Sequence, residues 1–156
     1  VVTTDQLELR PLPVAAARAL PDDRKVAGRL IGAVVPNVWP LPDLLDVLPL
    51  HEPPFGIWVM VEQETETVVG DIGFIGPPDE SGTVEIGYSV IPDRRRRGYA
   101  TEAARGLVAW AMEQPGVRAV TATCEPGNVG SVRTLERAGF ARTAEENGLV
   151  RWRYPA

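Results

Sequence analysis

The groups best suited to holding a ligand are concentrated in one run: Arg94, Arg95, Arg96 and Arg97, then Gly98, Tyr99, Ala100 and Thr101. Four guanidinium groups supply positive charge. A glycine lets backbone come close to a bound group, and a small residue at position 100 keeps the next helical step open. The chemistry this suggests is anion binding, with a diphosphate as the natural guest. Other reactive side chains are scattered: carboxylates at Asp71, Glu85 and Glu125, hydroxyls at Tyr88, Ser89, Ser131 and Tyr154, a single thiol at Cys124 and a single imidazole at His51. One histidine and one cysteine, without ligand spacing, point away from a metal site.

The elements around the run explain how it could be presented. Thr83 to Ile91 is rich in β-branched and aromatic residues and stops at Pro92, which predicts a strand. Ala100, Ala103, Ala104, Leu107 and Ala111 recur at the spacing of one buried helical face, predicting a helix to about Gln114. A strand that turns directly into a helix aims the helix's free N–H groups, and the positive end of its dipole, at whatever occupies the turn.

Elsewhere the pattern predicts a first strand at Leu7–Leu12 and helices over Val14–Leu20 and Arg24–Val34, the second capped by Asp22 or Asp23. The Pro-rich stretch from Pro36 to Pro54 holds one short helix after Pro42. It reads either as a cover over a site or as plain packing, with Trp39 and His51 inside it. Gly56–Glu62 and Thr67–Ile75 form a hairpin, and Ala119–Cys124 a further strand. A helix runs from Asn128 to a cap at Gly139. Two last strands, Phe140–Thr143 and Val150–Tyr154, flank Asn147-Gly148. The order β-α-α-β-β-β-α-β-α-β-β predicts a single α/β domain over residues 1–156, with one mixed sheet and helices on both faces.

Charge is distributed unevenly. The chain carries a net −5, which argues against a nucleic-acid partner. Residues 1–93 contain five Lys/Arg against fifteen Asp/Glu, whereas residues 94–156 contain eleven Arg against six Glu. One half is suited to attracting a cation and the other to holding an anion. No apolar run approaches a membrane span, no leader opens the chain, and the lone cysteine excludes an intrachain disulfide, so a cytoplasmic protein is expected. The chain has neither G-x-x-x-x-G-K-[ST] nor an early G-x-G-x-x-G, which argues against a nucleotide-binding fold of those classes.

Arg95-Arg96-Arg97-Gly98-Tyr99-Ala100 resembles the R/Q-x-x-G-x-G/A signature of the GCN5-related N-acetyltransferase (GNAT) superfamily, in its expected place between a strand and a helix. Asn128-x-x-Ser131 with Glu136 and Gly139-Phe140 resembles the family's C-terminal motif. Glu85-Ile-Gly-Tyr88 and Gly98-Tyr-Ala-Thr-Glu-Ala103 are similar to the branch that acetylates ribosomal-protein N-termini. The resemblance implies a mostly antiparallel sheet splayed between its fourth and fifth strands, with a bulge there. It implies acetyl-CoA as co-substrate without a metal, and the diphosphate on the amides of the Arg95–Thr101 turn. The pantetheine arm would then lie along Tyr88, Ser89 and Val90, with a hydrogen bond from Asn128. A homodimer is common in such families.

Acetyl transfer to an amine requires removal of a proton from an ammonium and return of one to the leaving thiolate. Glu85 is the first candidate base, with Asp71 and Glu125 behind it. Many relatives carry a tyrosine acid seven residues after the motif asparagine, where this chain has Leu135. Ser131 is a candidate donor, or a helix-start residue bonded to backbone amides, and Tyr88, Tyr99 and Tyr154 stay open. The four tryptophans and the lone Cys124 read mainly as core residues, although Trp39 and Trp152 could line an acceptor pocket and Cys124 could face the slot. The expected activity is N-acetylation of a cationic amine, either a protein N-terminus or a small molecule. The alternative is a CoA-binding regulatory domain that has lost the chemistry.

Overall fold

The computed structural model describes residues 1–155. Its elements are β1 (Val2–Thr3), β2 (Leu7–Pro11), α1 (Val14–Ala19), α2 (Arg24–Ile31), α3 (Pro42–Val47), β3 (Ile57–Glu62), β4 (Thr67–Phe74), β5 (Thr83–Val90), α4 (Tyr99–Met112), β6 (Ala119–Cys124), α5 (Val129–Arg137), β7 (Ala141–Glu146) and β8 (Leu149–Tyr154). The strands form one open sheet in the order β1-β2-β3-β4-β5-β6-β8-β7. Neighbouring strands are antiparallel except β5 and β6, which run parallel.

Three of the departures from the sequence pattern have local reasons. Strand β1 has only two residues, too few to show alternation, and it makes the expected fourth and fifth strands β5 and β6. Helix α2 ends at Ile31 because Gly32 adopts φ 83°, a left-handed cap, and Val34 bridges Thr67 instead. Strand β7 continues past Thr143 to Glu146, so the last hairpin is longer than its apolar pattern. At the start of α2, Asp23 is the cap, accepting from the Val26 N–H.

Each face of the sheet carries its own helices. Cross-strand pairs share a face, so Ile72 with Tyr88 and Phe74 with Ile86 look one way, and Asp71 with Ser89 and Gly73 with Gly87 look the other. The first face packs on α4, where Trp110 meets Trp58 and Phe74 with ring centroids 4.9 and 5.7 Å apart. Ala103, Ala104, Leu107 and Ala111 of α4 are fully buried, as their spacing requires. At Gly106 an added Cβ would meet Thr4 at 3.0 Å and Leu9 at 3.3 Å, so the absence of a side chain lets α4 lie close to β2. The Glu102 carboxylate then ties the N-terminal segment to α4, accepting from the Thr4 hydroxyl and from the Gln6 and Leu7 N–H groups. The second face is covered by the segment from α1 to α3.

His51 joins that cover to the sheet. Its Nδ1 accepts from the Ile57 N–H at 2.9 Å, so Nε2 carries the proton and donates to the Leu12 carbonyl at 2.6 Å. It is therefore a packing residue. His51→Ala leaves two backbone groups without partners, and thermal denaturation is expected to show a loss of about 1–3 kcal/mol. A melting curve equal to wild type would show that His51 does not hold the cover.

Candidate active site

The site begins where two strands part. β5 and β6 pair only at Thr83–Ala119, Val84–Val120 and Glu85–Thr121. Beyond that point β6 stays with β8, up to Cys124–Val150, while β5 stays with β4, up to Gly70–Val90. The slot opens between them. The register of β5 on β4 is unbroken from Phe74–Ile86 to Gly70–Val90, so the separation is made without the expected bulge in β5. Ile75 N–H donates to the Glu85 carbonyl, and Ile91 N–H donates to the Val69 carbonyl. Odd-numbered residues of β5 therefore direct their backbone groups to β4. By alternation, the N–H groups of Tyr88 and Val90 face the slot.

The slot runs into a cavity of about 700 Å³ lined by Tyr88, Ser89, Val90, Arg95, Arg96, Gly98, Tyr99, Ala100, Thr101, Asn128 and Ser131. Of the residues assigned to the co-substrate from sequence, only Arg97 lies outside this lining. Arg94, Gly130, Arg133, Thr134 and Arg137 complete the wall. Arg133 and Arg137 are four apart on α5 and so share a face, but without the fold nothing marks that face as part of the site.

At the cavity's end, Gly98 caps α4 with φ 80°, and a Cβ there would meet no atom within 4 Å. It would project into open space. Among the described residues, the N–H groups from Arg96 to Thr101 have no backbone acceptor. Successive free amides around a concave turn, at a helix N-terminus, form an anion cradle. Arg96 itself takes the left-handed conformation at φ 65°, uncommon for a residue with a side chain. The amide row and the open space at Gly98 fit a diphosphate.

The four arginines are not equivalent. Arg94 donates from Nε to Glu62 at 3.1 Å and from Nη1 to Asp93 at 2.9 Å. Arg95 Nε donates to the Val90 carbonyl at 2.9 Å, and Arg97 lies 3.8 Å from Glu62. The Tyr99 hydroxyl donates to Glu62 at 2.6 Å, which removes Tyr99 from the candidate donors at the slot.

Two hydroxyls meet beside the slot. Tyr88 Oη and Ser131 Oγ are 2.7 Å apart. Asn128 accepts from the Ser131 backbone N–H at 3.1 Å, so it is the cap of α5, and the Ser131 hydroxyl is engaged with Tyr88 rather than with backbone amides. Burial pushes the Tyr88 phenol up, opposed by its bond to Ser131 and assisted by nearby Cys124, so it remains protonated at neutral pH. Leu135 is fully buried. The hydroxyl beside the slot that partners Ser131 therefore reaches in from β5, not from position 135 of α5. Tyr154 is outside the lining and packs on Phe140. Cys124 is buried at the end of β6, on the same face of the sheet as Tyr88.

The carboxylates lie on the opposite face. Glu85 is half-buried at the closed end of the slot and makes no side-chain hydrogen bond or ion pair among the described residues. Asp71 is 8% exposed, and its Oδ2 accepts from Trp39 Nε1 and Ser89 Oγ, both at 3.0 Å. Among the described residues its other oxygen has no partner, and it is not sealed from water. Burial raises the Asp71 carboxyl from 3.8 to about 6, against the two hydrogen bonds. Glu125 is exposed and outside the lining. Trp39 is fully buried and serves as the Asp71 partner instead of lining an open pocket. Trp152 is buried with its Nε1 unpartnered among the described residues. Among the described residues no three His, Cys, Asp or Glu side chains are placed to hold a metal ion, and no helix is long and apolar enough to cross a membrane.

Known proteins share this fold. A family model for the acetyltransferase (GNAT) domain matches residues 7–141. The chain is 31% identical, over 163 residues, to a Bacillus subtilis (strain 168) protein called uncharacterized N-acetyltransferase YjdG, covering 99% of this chain and 97% of that one. The structure of an acetyltransferase from Agrobacterium tumefaciens str. C58 superposes with a TM-score of 0.68 at 26% identity, over 99% of this chain and 94% of the other. RimL, a ribosomal L7/L12 alpha-N-protein acetyltransferase solved with coenzyme A, has the same fold. It gives a TM-score of 0.69 at 14% identity, over 98% of this chain and 95% of that chain. With the family match running from the start of β2 to the start of β7, and the YjdG match extending over nearly the whole chain, the protein belongs to the GNAT family and is an N-acetyltransferase.

Proposed function

We propose that the protein transfers the acetyl group of acetyl-CoA to a cationic primary amine, which attacks directly without a covalent enzyme intermediate. The observation that carries this reading is the row of free amides from Arg96 to Thr101, continuous through one cavity with the slot and the Tyr88–Ser131 pair. When bound, acetyl-CoA supplies a thioester from which an amine can take the acetyl group. Arg96 and the turn amides would hold the diphosphate. The slot-facing N–H groups of Tyr88 and Val90 are donors for an oxyanion. Tyr88, bonded to Ser131, supports protonation of the leaving sulfur.

On the other face, Ser89 lies between the two slot-facing amides and is bonded to Asp71. Glu85 is four residues away, about 13 Å along the strand. Asp71, with one water-accessible oxygen and a raised carboxyl, is therefore the favoured base. Glu85 is assigned to attracting the ammonium across the space that Gly87 leaves open. The acidic excess of residues 1–93 supports a cationic acceptor on this side.

The experiment is a calorimetric titration with CoA, followed by free-thiol release from acetyl-CoA with N-terminal peptides, polyamines and aminoglycosides. Micromolar CoA binding and turnover on at least one cationic amine are expected. Turnover only on neutral or anionic acceptors would overturn the acceptor class, and absence of CoA binding would overturn the co-substrate.

A further inference from the structure

We propose that Glu62, at the end of β3 and away from the reacting centre, is a positioning residue that shapes the diphosphate-binding turn. The inference rests on the acetyl-CoA reading above. Glu62 is 3% exposed, and a carboxylate so buried is found where its charge and lone pairs are matched. Here they are. Oε2 accepts from the Tyr99 hydroxyl at 2.6 Å and from Arg94 Nε at 3.1 Å, with Arg97 3.8 Å away, and Oε1 accepts from the Thr65 hydroxyl at 2.7 Å. Burial would raise this carboxyl, but the hydrogen bonds from Tyr99 and Thr65 and the charge of Arg94 outweigh it. The group is ionised at neutral pH.

Two consequences follow for the turn. Tyr99 is the first residue of α4, and fixing its ring and hydroxyl fixes the rotation of the helix's first turn about its axis. That rotation decides where the N–H groups of Tyr99, Ala100 and Thr101 point. Glu62 also divides the arginine run. Arg94 and Arg97 are drawn toward it, and Arg95 is held on the Val90 carbonyl. Among the described residues, Arg96 alone of the four has no side-chain hydrogen bond or ion pair. The turn thus offers oriented amides and one free guanidinium rather than four loose charges.

Calorimetry with CoA and with pantetheine, which lacks the diphosphate, tests this on wild type, Glu62→Gln and Tyr99→Phe. Glu62→Gln is expected to weaken CoA binding by at least about tenfold, the worth of hydrogen bonds to a charged group. Pantetheine binding and the turnover of acetyl-pantetheine should stay within about twofold, since their contacts lie along β5. Tyr99→Phe should weaken CoA severalfold in the same selective way. Unchanged CoA affinity in Glu62→Gln, or an equal loss for both ligands, would overturn the positioning role. If Glu62→Gln does not fold, Tyr99→Phe decides by the same criteria. A wild-type protein that binds CoA no more tightly than pantetheine would instead overturn the diphosphate assignment itself.

Discussion

Asp71→Asn is expected to lower kcat/KM by at least ~100-fold at pH 7.5, the usual worth of a positioned base. It should also erase the acidic limb of the pH profile. That limb follows from the raised carboxyl. A base with its pKa near 6 is protonated and inactive below that value, so wild-type kcat/KM should rise through about pH 6 and then level. The same shift makes a stability prediction of opposite character. Asp71 ionises less readily in the fold than in the unfolded chain, so the fold loses stability as pH rises from about 4 to about 6. The amount is ~3 kcal/mol by pH 7. Asparagine keeps an oxygen for Trp39 and Ser89 and removes the buried charge, so Asp71→Asn should melt at the same temperature as wild type or higher. An inactive yet more stable variant separates lost chemistry from lost folding. Glu85→Gln is the contrast: it should raise KM for the amine and retain the limb near pH 6. If Glu85→Gln abolishes that limb and Asp71→Asn leaves it in place, the two assignments exchange.

Tyr88→Phe is expected to reduce kcat by ~10–100-fold, with CoA affinity within about twofold of wild type. The phenol is held protonated by burial and stands 2.7 Å from Ser131, so it can support the leaving sulfur without being consumed. Ser131→Ala removes the partner that orients it and should give a similar loss. The double variant should be little worse than either single one, because groups acting as a unit are not additive. Steady-state kinetics with acetyl-CoA, alongside CoA titration, checks both points. A full multiplicative loss in the double variant would mean that the hydroxyls act separately.

Much of this was legible in the chain itself. The helical face of Ala103, Ala104, Leu107 and Ala111 appeared at its spacing and is buried in the structure. Strand β6 has the boundaries its pattern predicted, because Pro and Gly residues punctuate it on both sides. The glycine turn into α4 was also visible, since glycine and a helix start are local properties. What was not visible was pairing. Nothing in the spacing of Glu62 connects it to Tyr99, 37 positions away, and a glutamate at a strand end looks like surface until the fold buries it. Arg97 looked like its three neighbours for the same reason. Trp39 stayed open between core and pocket wall, because a Pro-rich segment does not reveal which face of the sheet it covers.

The sequence by itself determined that an arginine- and glycine-bearing turn would join a strand to a helix, and that the two halves of the chain carry opposite charge. Those facts depend on residues adjacent in the chain, whose backbone conformation and charge are set locally. Only the tertiary structure decided which groups meet there. The parting of β5 from β6 selects the free amides, α5 brings Ser131 to Tyr88, and the covered face gives Asp71 its burial and therefore its raised carboxyl. Each of these depends on groups far apart in sequence meeting in a water-poor interior, where a single hydrogen bond or a lost water shell changes what a side chain can do.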